Sequence, residues 1–478
     1  MNSRYSSLDL RLPGGLHIPG LWLRVAIVGS ALLASLAIPQ VVSLQRVTQL
    51  AVLLFSVGLV LSIMRSPALG PVLLIVVCLA VPSPYMPGGM NIAFIFVALL
   101  VGLWLLSLVV QRGAARLVRS RPVTPLLVFM GVVVLSFIVG QLRWFSSVSS
   151  APLETQIGGV AIFLFSGAAF LLVANQVRDL RWLQAMTWVF IGISALHVGG
   201  WLEYSVLGPI GSRLQLGATS NSMFWVWMTA LAFAQALYNG KLHLVFRVAL
   251  LLLVAAVVYV SFMLNAEWKS GYLPAMVALA AIIAARSWRV GLMVGLLAIA
   301  PAIYLASDAI ATDEYSYSTR IDAWELVLTM VKVNPVLGFG PANYYWYTPL
   351  FPIRGYHVNF NSHNQYVDIL AQTGILGLAA FAWFAAEVGR LGWNLRNNAP
   401  EGFARAYVYG AIGGLAGMLA SGVLVDWFLP FTYNIGLSGF RGSVIAWLFL
   451  GGLVSIEQMM RRDELSHVAG TEGETQHE

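Results

Sequence analysis

Apolar runs long enough to cross a lipid bilayer recur along almost the whole chain, and this repetition constrains the fold more than any single motif. A hydrocarbon core of roughly 30 Å is crossed by about 20 apolar residues as a helix. Candidate spans fall near 21–38, 47–64, 68–84, 91–110, 123–140, 157–175, 182–202, 217–238, 244–264, 271–286, 289–307, 366–389, 405–425 and 436–456. Reading the short runs 68–84 and 271–286 as re-entrant or interfacial reduces the fourteen spans to twelve. Backbone groups in lipid must be satisfied within the segment, so these runs are helices and not strands. The expected fold is therefore all-α, a polytopic integral membrane bundle of 12–14 transmembrane helices. Only 10% of residues are charged, against roughly 25% in a soluble domain, so charge cannot cover the surface. The single cysteine, Cys78, lies in an apolar run, which excludes a disulfide framework and a cysteine metal site. The first run starts late and ends at Pro39-Gln40 with no small-residue cleavage site, so it reads as a span and not a signal peptide.

A formal charge of +7 could suggest nucleic acid, but the placement of the basic residues gives a better reason. With a cytoplasmic N-terminus, nineteen of the 27 Lys and Arg residues fall in inner connections, Arg112, Arg116, Arg119 and Arg121 among them. The outer connections hold only Arg46, Arg143, Arg213, Lys269, Arg320, Lys332, Arg354 and Arg441. That asymmetry follows the positive-inside rule, requires an even number of spans, and puts both termini in the cytoplasm. The partners implied are membrane lipids, with no nucleic acid. Topology disfavours outer cations, so each of those eight calls for a local reason.

One transmembrane domain is expected over 1–456, including an outer loop at 308–365, followed by a disordered cytoplasmic tail at 457–478. Loops beyond about 12–15 residues are usually functional or disordered. This one is too aromatic for disorder. Thr319-Arg-Ile-Asp322 has the pattern of a capping box. Ile321, Trp324, Leu328 and Val331 then follow at helical spacing, and Asn334-Pro335 ends the helix. A sharp turn follows at Gly338-Phe-Gly340-Pro341, then an aromatic cluster at 343–348, then Asn359-Phe-Asn-Ser-His-Asn364 just before the next span.

Several of these residues can carry chemistry. His363 is a neutral-pH proton acceptor at the membrane boundary; it also suits a polar residue capping the span that follows. His357 reads as a loop residue, and no third ligand at metal-site spacing accompanies the pair, so no metal is expected. Arg213 and Arg320 carry planar guanidinium forks that match phosphate oxygens. Lys269 is either a third phosphate contact or the partner of Glu267 in a short turn. For Arg354 and Arg441, snorkelling to water is the preferred reading. Asp426 either orients a cation or faces water. The aromatic run 344–347 suits a membrane interface or, alternatively, a platform for stacking sugars.

Taken in order, Arg320-x3-Trp324, Asn334-Pro-Val-Leu-Gly-Phe-Gly340, His363-Asn364 and Gly374-Ile-Leu-Gly377 resemble the hallmark segment of the O-antigen ligase and polymerase superfamily. Gly211-Ser-Arg213-Leu-Gln-Leu-Gly217 followed by Asn221 resembles the upstream arginine motif of that family. Three positions depart from the pattern: Ser220 replaces a proline, Lys269-Ser270 stands where Ser-Arg is common, and Gln372 replaces a glutamate. The resemblance implies a membrane glycosyltransferase that passes a glycan from a polyprenyl diphosphate carrier to an acceptor hydroxyl at the outer face of the cytoplasmic membrane. The acceptor would be a glycolipid for a ligase, or another carrier-linked glycan for a polymerase. His363 matches the general base of an inverting displacement. Arg213 and Arg320 match the arginines that bind diphosphate, with Lys269 beside them, Asn364 and Asp426 in support, and no cofactor or metal.

A transporter of lipid-linked sugars is the competing class. Ion-coupled transporters bury ionisable groups near the midplane, whereas Arg24, Arg247, Asp368, Glu387 and Asp426 lie near span ends. Recognisable inverted repeats are also missing.

Overall fold

The structure, a computed structural model, describes residues 10–11, 17–18, 56–81, 90–110, 117–202, 217–265, 267–293, 295–296 and 314–474. The expected span 21–38 lies outside the described residues, as do half of 47–64 and most of 289–307. The sequence places 1–456 in one domain; by contacts the chain forms two compact units, Met1–Ser66 and Pro67–Glu478. The first contains an antiparallel pair of two-residue strands, Leu10–Arg11 with His17–Ile18, and helix α1 (Ser56–Arg65).

In the second unit the apolar runs become helices: α2 (Leu69–Ala80), α3 (Ile92–Val110), α4 (Val123–Val139), α5 (Leu153–Gln176), α6 (Leu180–Leu202), α7 (Ser222–Tyr238) and α8 (Leu244–Tyr259). A π-turn, Val260–Leu264, extends α8. There follow α9 (Lys269–Arg286), the loop helix α10 (Glu314–Val331), the single turn α11 (Tyr344–Tyr347), α12 (Gln365–Asn398), α13 (Phe403–Leu424) and α14 (Phe440–Glu474). Among the described residues six helices are long and apolar enough to cross a membrane, and four shorter apolar helices accompany them. The architecture is the expected all-α polytopic bundle. Helix α14 continues as helix to Glu474, past residue 457 where the sequence reading begins a tail.

Burial sorts the helices. The apolar stretch of α14 is wholly enclosed, packed on α5, α7 and α13. Helix α8 instead turns Leu244, Val245, Phe246 and Leu252 outward, as a helix facing lipid does. Helix α13 packs between α7 and α9 because it is lined with small residues. A Cβ added at Gly413 would come within 2.5 Å of Ile282, and one at Gly414 within 2.6 Å of Trp227.

The loop helix departs from expectation at its start. It already runs from Glu314, so Thr319 is an interior residue whose hydroxyl donates to the Tyr315 carbonyl at 2.6 Å. The capping box is therefore not formed. Asp322 pairs with Arg354 at 2.6 Å, and the Arg354 guanidinium lies 4.9 Å from the Tyr315 ring centre. Arg354 thus pins the loop to α10 and does not snorkel. Arg441 does not snorkel either. It is 3% exposed and donates to the Cys78 and Val81 carbonyls, both at 2.9 Å. Those are orphan acceptors at the end of α2, so Arg441 serves as a C-cap supplied from far along the chain.

The long loop is locked to the bundle at a break in α12. Gly374 has φ 65° and ψ −171°, a region open in practice only to glycine, and it interrupts the helix. The loop backbone supplies the hydrogen bonds that the break releases. Ile375 N–H donates to the Pro335 carbonyl at 2.8 Å. In the other direction, Phe339 N–H donates to Ala371 O at 2.9 Å and Gly340 N–H to Gln372 O at 3.0 Å. Broken backbone in a membrane helix persists only where protein satisfies it, and here residues 335–340 do so. Phe339, Tyr344, Tyr347, Val327 and Met330 close over the joint as a small apolar core.

Candidate functional site

Where α10 crosses the bundle end formed by the start of α12 and the end of α13, the loop sets one imidazole among charged and amide groups. His363 has φ 46°, a left-handed conformation uncommon for a residue with a side chain. Its two neighbours explain how it is held. Ser362 Oγ donates to Asp368 Oδ1 at 2.7 Å, and its backbone N–H donates to the Tyr344 hydroxyl at 3.3 Å. The Ser362 carbonyl accepts from Trp324 Nε1 at 2.6 Å. On the other side Asn364 caps α12, accepting from Tyr366 N–H at 3.0 Å and Val367 N–H at 3.2 Å, while its amide donates to the Val423 carbonyl at 3.2 Å. With both flanking residues fixed, the strain at His363 is imposed from outside, a pattern that gathers at functional sites.

Arg320 and Trp324 stand four residues apart, on one face of α10. Trp324 grips the Ser362 carbonyl, while Arg320 Nη1 approaches the Leu424 carbonyl at 3.5 Å and its charge is felt at His363. Burial, and then the Arg320 guanidinium, push the His363 pKa down to about 4. The ring is therefore neutral at pH 7 and able to accept a proton.

Asp426, just beyond the end of α13, is fully buried. It does not face water, one of the two roles the sequence allowed it, and among the described residues no cation pairs with it. Its Oδ2 accepts from Phe431 N–H and its Oδ1 from Asn434 Nδ2, both at 2.5 Å. Burial raises its pKa, with those two donors opposing the shift. Asn434 Nδ2 in turn lies 3.4 Å from His363 Nδ1. Behind this group Tyr344 donates to Asp368, and burial raises the Tyr344 pKa well above its ordinary value.

His363, Asn364, Arg320 and Asp426 are thus brought to one place. Arg213 lies outside the described residues. Asn221, from the same upstream motif, caps α7 through Met223 N–H at 2.8 Å and ties to the Trp427 carbonyl at 3.0 Å. Lys269 opens α9 at the same bundle end, beside Trp268, whose ring meets that of Trp427 edge-on at 5.7 Å. His357 bonds the Pro349 carbonyl through Nδ1 at 2.7 Å, as a loop residue would. The aromatic run divides: Tyr344 and Tyr347 are buried, while Tyr345 is half-buried and stacks on Tyr433 at 4.3 Å. Sequence reasoning missed Asn434, Ser362 and the Tyr344–Asp368 pair. The available signal for the last was an acid one turn into a span, four residues after the Asn364 cap.

At the opposite end of the helices Arg178 lies beside Pro400 and Arg462, Arg121 lies beside Arg390, and Arg461 Nη1 donates to the Arg119 carbonyl at 3.0 Å. The basic residues and the site therefore occupy opposite ends of the bundle. Such a bundle is that of a multi-pass membrane protein, with a strained histidine and an arginine gathered under a clamped loop at one end.

Residues 243–382, from α8 into α12, match the O-antigen ligase family. The matched segment holds Lys269, Arg320, His363 and the α12 joint, and excludes Arg213, Asp426 and Asn434. No curated protein matches the chain. The fold is that of a multi-pass membrane protein, and the match supports a glycosyltransferase-type role in O-antigen assembly.

Proposed function

We propose that the protein transfers a glycan from a polyprenyl diphosphate carrier to an acceptor hydroxyl at the outer face of the cytoplasmic membrane, as an O-antigen ligase does. The observation that carries this reading is the convergence of His363 and Arg320 at the bundle end away from the basic residues. The positive-inside rule makes that end the outer one and leaves both termini in the cytoplasm.

His363 takes the proton from the acceptor hydroxyl as its oxygen attacks the anomeric carbon. The bond from that carbon to the phosphate oxygen breaks, the lipid diphosphate leaves, and the anomeric centre inverts. Charge gathers on the leaving diphosphate, so cations serve it better than a proton donor. Arg320 supplies one, with Arg213 and Lys269 as the further phosphate contacts. The low His363 pKa fits this order of events. In the free site the imidazole is neutral but a weak base. A bound diphosphate offsets the Arg320 charge and raises the imidazole's basicity when the donor is in place. No metal or cofactor takes part in this scheme. Asn364 acts through the cap of α12, and Asp426 through its hold on Asn434.

A repeat-unit polymerase shares this donor chemistry, with a carrier-linked glycan as the acceptor. The direct test is transfer by purified protein in liposomes holding the lipid-linked donor and a glycolipid acceptor. His363→Ala is expected to be inserted and folded yet inactive; full transfer by that variant removes His363 from the chemistry. Deletion of the gene separates the two acceptors: unattached lipid-linked polymer accumulates for a ligase, and single repeats remain for a polymerase.

A further inference from the structure

The connection between α13 and α14 brings Asn434 to His363, although Asn434 lies outside the family-matched segment. Its amide stands between two very different partners. On one side Nδ2 is 2.5 Å from Asp426 Oδ1. The other Asp426 oxygen is already occupied by Phe431 N–H at 2.5 Å. A buried carboxylate with two acceptor oxygens requires donors, so Asp426 keeps the NH2 group of Asn434 turned toward itself. The second hydrogen of that NH2 group faces His363 Nδ1 across 3.4 Å. An amide nitrogen has no lone pair to offer, so at this contact Nδ1 can only be an acceptor.

We propose that Asn434 is a positioning residue for His363: clamped by Asp426, its amide holds the neutral imidazole in the Nε2-protonated form and makes Nδ1 the nitrogen that receives the acceptor proton. This rests on the reading of His363 as the general base. The contact at 3.4 Å is longer than an ordinary hydrogen bond, and such contacts in a free site are often long. A weak contact of this kind orients the ring and gives way when an acceptor hydroxyl approaches Nδ1. The neutral amide has a second effect: it keeps the Asp426 carboxylate from touching the ring. An acid directly on Nδ1 would draw the proton to that nitrogen and move the basic lone pair to Nε2, as in Asp–His pairs.

Among the described residues, the charged and titratable groups around His363 are Arg320 from α10, Asp426 beyond α13, Asp368 at the start of α12 and Tyr344 of α11. None of these residues is replaced in a variant at residue 434, and only Asp426 loses a donor by it, so that position can be tested separately. The experiment measures transfer in liposomes across a pH series for the wild type, Asn434→Ala, Asn434→Asp and His363→Ala. Asn434→Ala frees the ring and is expected to lower kcat roughly tenfold or more, with KM within about twofold. Asn434→Asp keeps the shape of the residue, so it reports even if the alanine variant folds poorly. The two carboxyls then share a proton, an acceptor oxygen faces Nδ1, and the acid limb is expected to move up by about one pH unit while kcat falls. Wild-type kcat and pH profile in Asn434→Asp, alongside an inactive His363→Ala, overturns the positioning role and leaves the base reading standing. An active His363→Ala overturns both.

Discussion

Replacing Gly374 with alanine tests the joint that fastens the outer loop to α12. A Cβ on Gly374 would sit 2.1 Å from the Val336 oxygen, 2.2 Å from the Val336 carbonyl carbon and 2.4 Å from Leu337 N. All three are backbone atoms, so no side-chain rotation relieves the overlap. The φ of 65° with ψ −171° costs a residue bearing a Cβ about 1–3 kcal/mol by itself. Moving residues 335–337 away then opens the Ile375–Pro335 bond of 2.8 Å and the longer Leu376–Val336 bond of 3.3 Å. Each buried amide left without a partner costs about 1–3 kcal/mol. The expected loss is about 3–9 kcal/mol, a drop of several degrees or more in Tm for a chain of this size. The assay is thermal unfolding in detergent micelles together with hydrogen exchange of the 335–340 and 371–376 amides, which should lose protection together. Gly377→Ala is the near neighbour for comparison. There the added Cβ would lie 1.9 Å from Thr373 Oγ1 and 2.3 Å from Thr373 Cβ, so α12 is strained too, but no loop backbone atom is touched and the 335–340 amides should keep their protection. Gly131→Ala meets nothing within 4 Å and serves as the control. An unchanged Tm and unchanged exchange in Gly374→Ala would refute the claim that these bonds hold the loop.

In the proposed reaction the neutral imidazole of His363 is the active form, and it predominates above its pKa of about 4. The kcat/KM for transfer should therefore stay level from pH 7 down to about 5 and fall below about 4, while the acid limb of kcat lies at higher pH because bound diphosphate favours the imidazolium. A kcat/KM profile with its limb at pH 6.5 or above would mean that the ring is not desolvated in the free enzyme. Arg320→Lys should retain less activity than a count of charges suggests, because lysine lacks the planar fork, and Arg320→Ala should retain less still. Unchanged turnover for both Arg320→Ala and Arg213→Ala would end the diphosphate assignment. Arg441→Met should lower stability by about 2–3 kcal/mol, since it leaves the Cys78 and Val81 carbonyls without their donor; an unchanged Tm would show that other groups cap α2.

The bundle was legible in the sequence because lipid imposes one rule on every span, and uninterrupted apolar length reports it directly. Local signals were less dependable. Thr319 and Asp322 have capping-box spacing, but that spacing is also correct for two residues inside a helix, and only the start at Glu314 decides between them. Arg354 and Arg441 were misread for a different reason. Their partners, Asp322 and the end of α2, are 32 and about 360 residues away, and nothing near either arginine marks the pairing. The site divides along the same line. Arg320, His363 and Asn364 were legible because they lie in one ordered motif. Asn434 was not, since its relation to His363 exists only after α13 and α14 pack.

The motif residues perform two physical tasks, and the structure separates them. Asn334, Gly338, Gly340 and Gly374 shape backbone: Asn334 Nδ2 donates to the Gly338 carbonyl at 2.5 Å, and both loop glycines have positive φ where the loop meets α12. Gln372, one of the departures from the family pattern, works at the same joint by accepting from Ala342 N–H at 3.0 Å. Trp324 and Asn364 fix the carbonyl before His363 and the helix after it. Among the described residues of the loop motif, His363 and Arg320 retain polar groups suited to a substrate. A motif spread over more than fifty residues thus encodes one short strained stretch and the means of holding it still. That economy gives the proposed base what it would need: two packed neighbours and a broken span hold His363 in place before any substrate arrives.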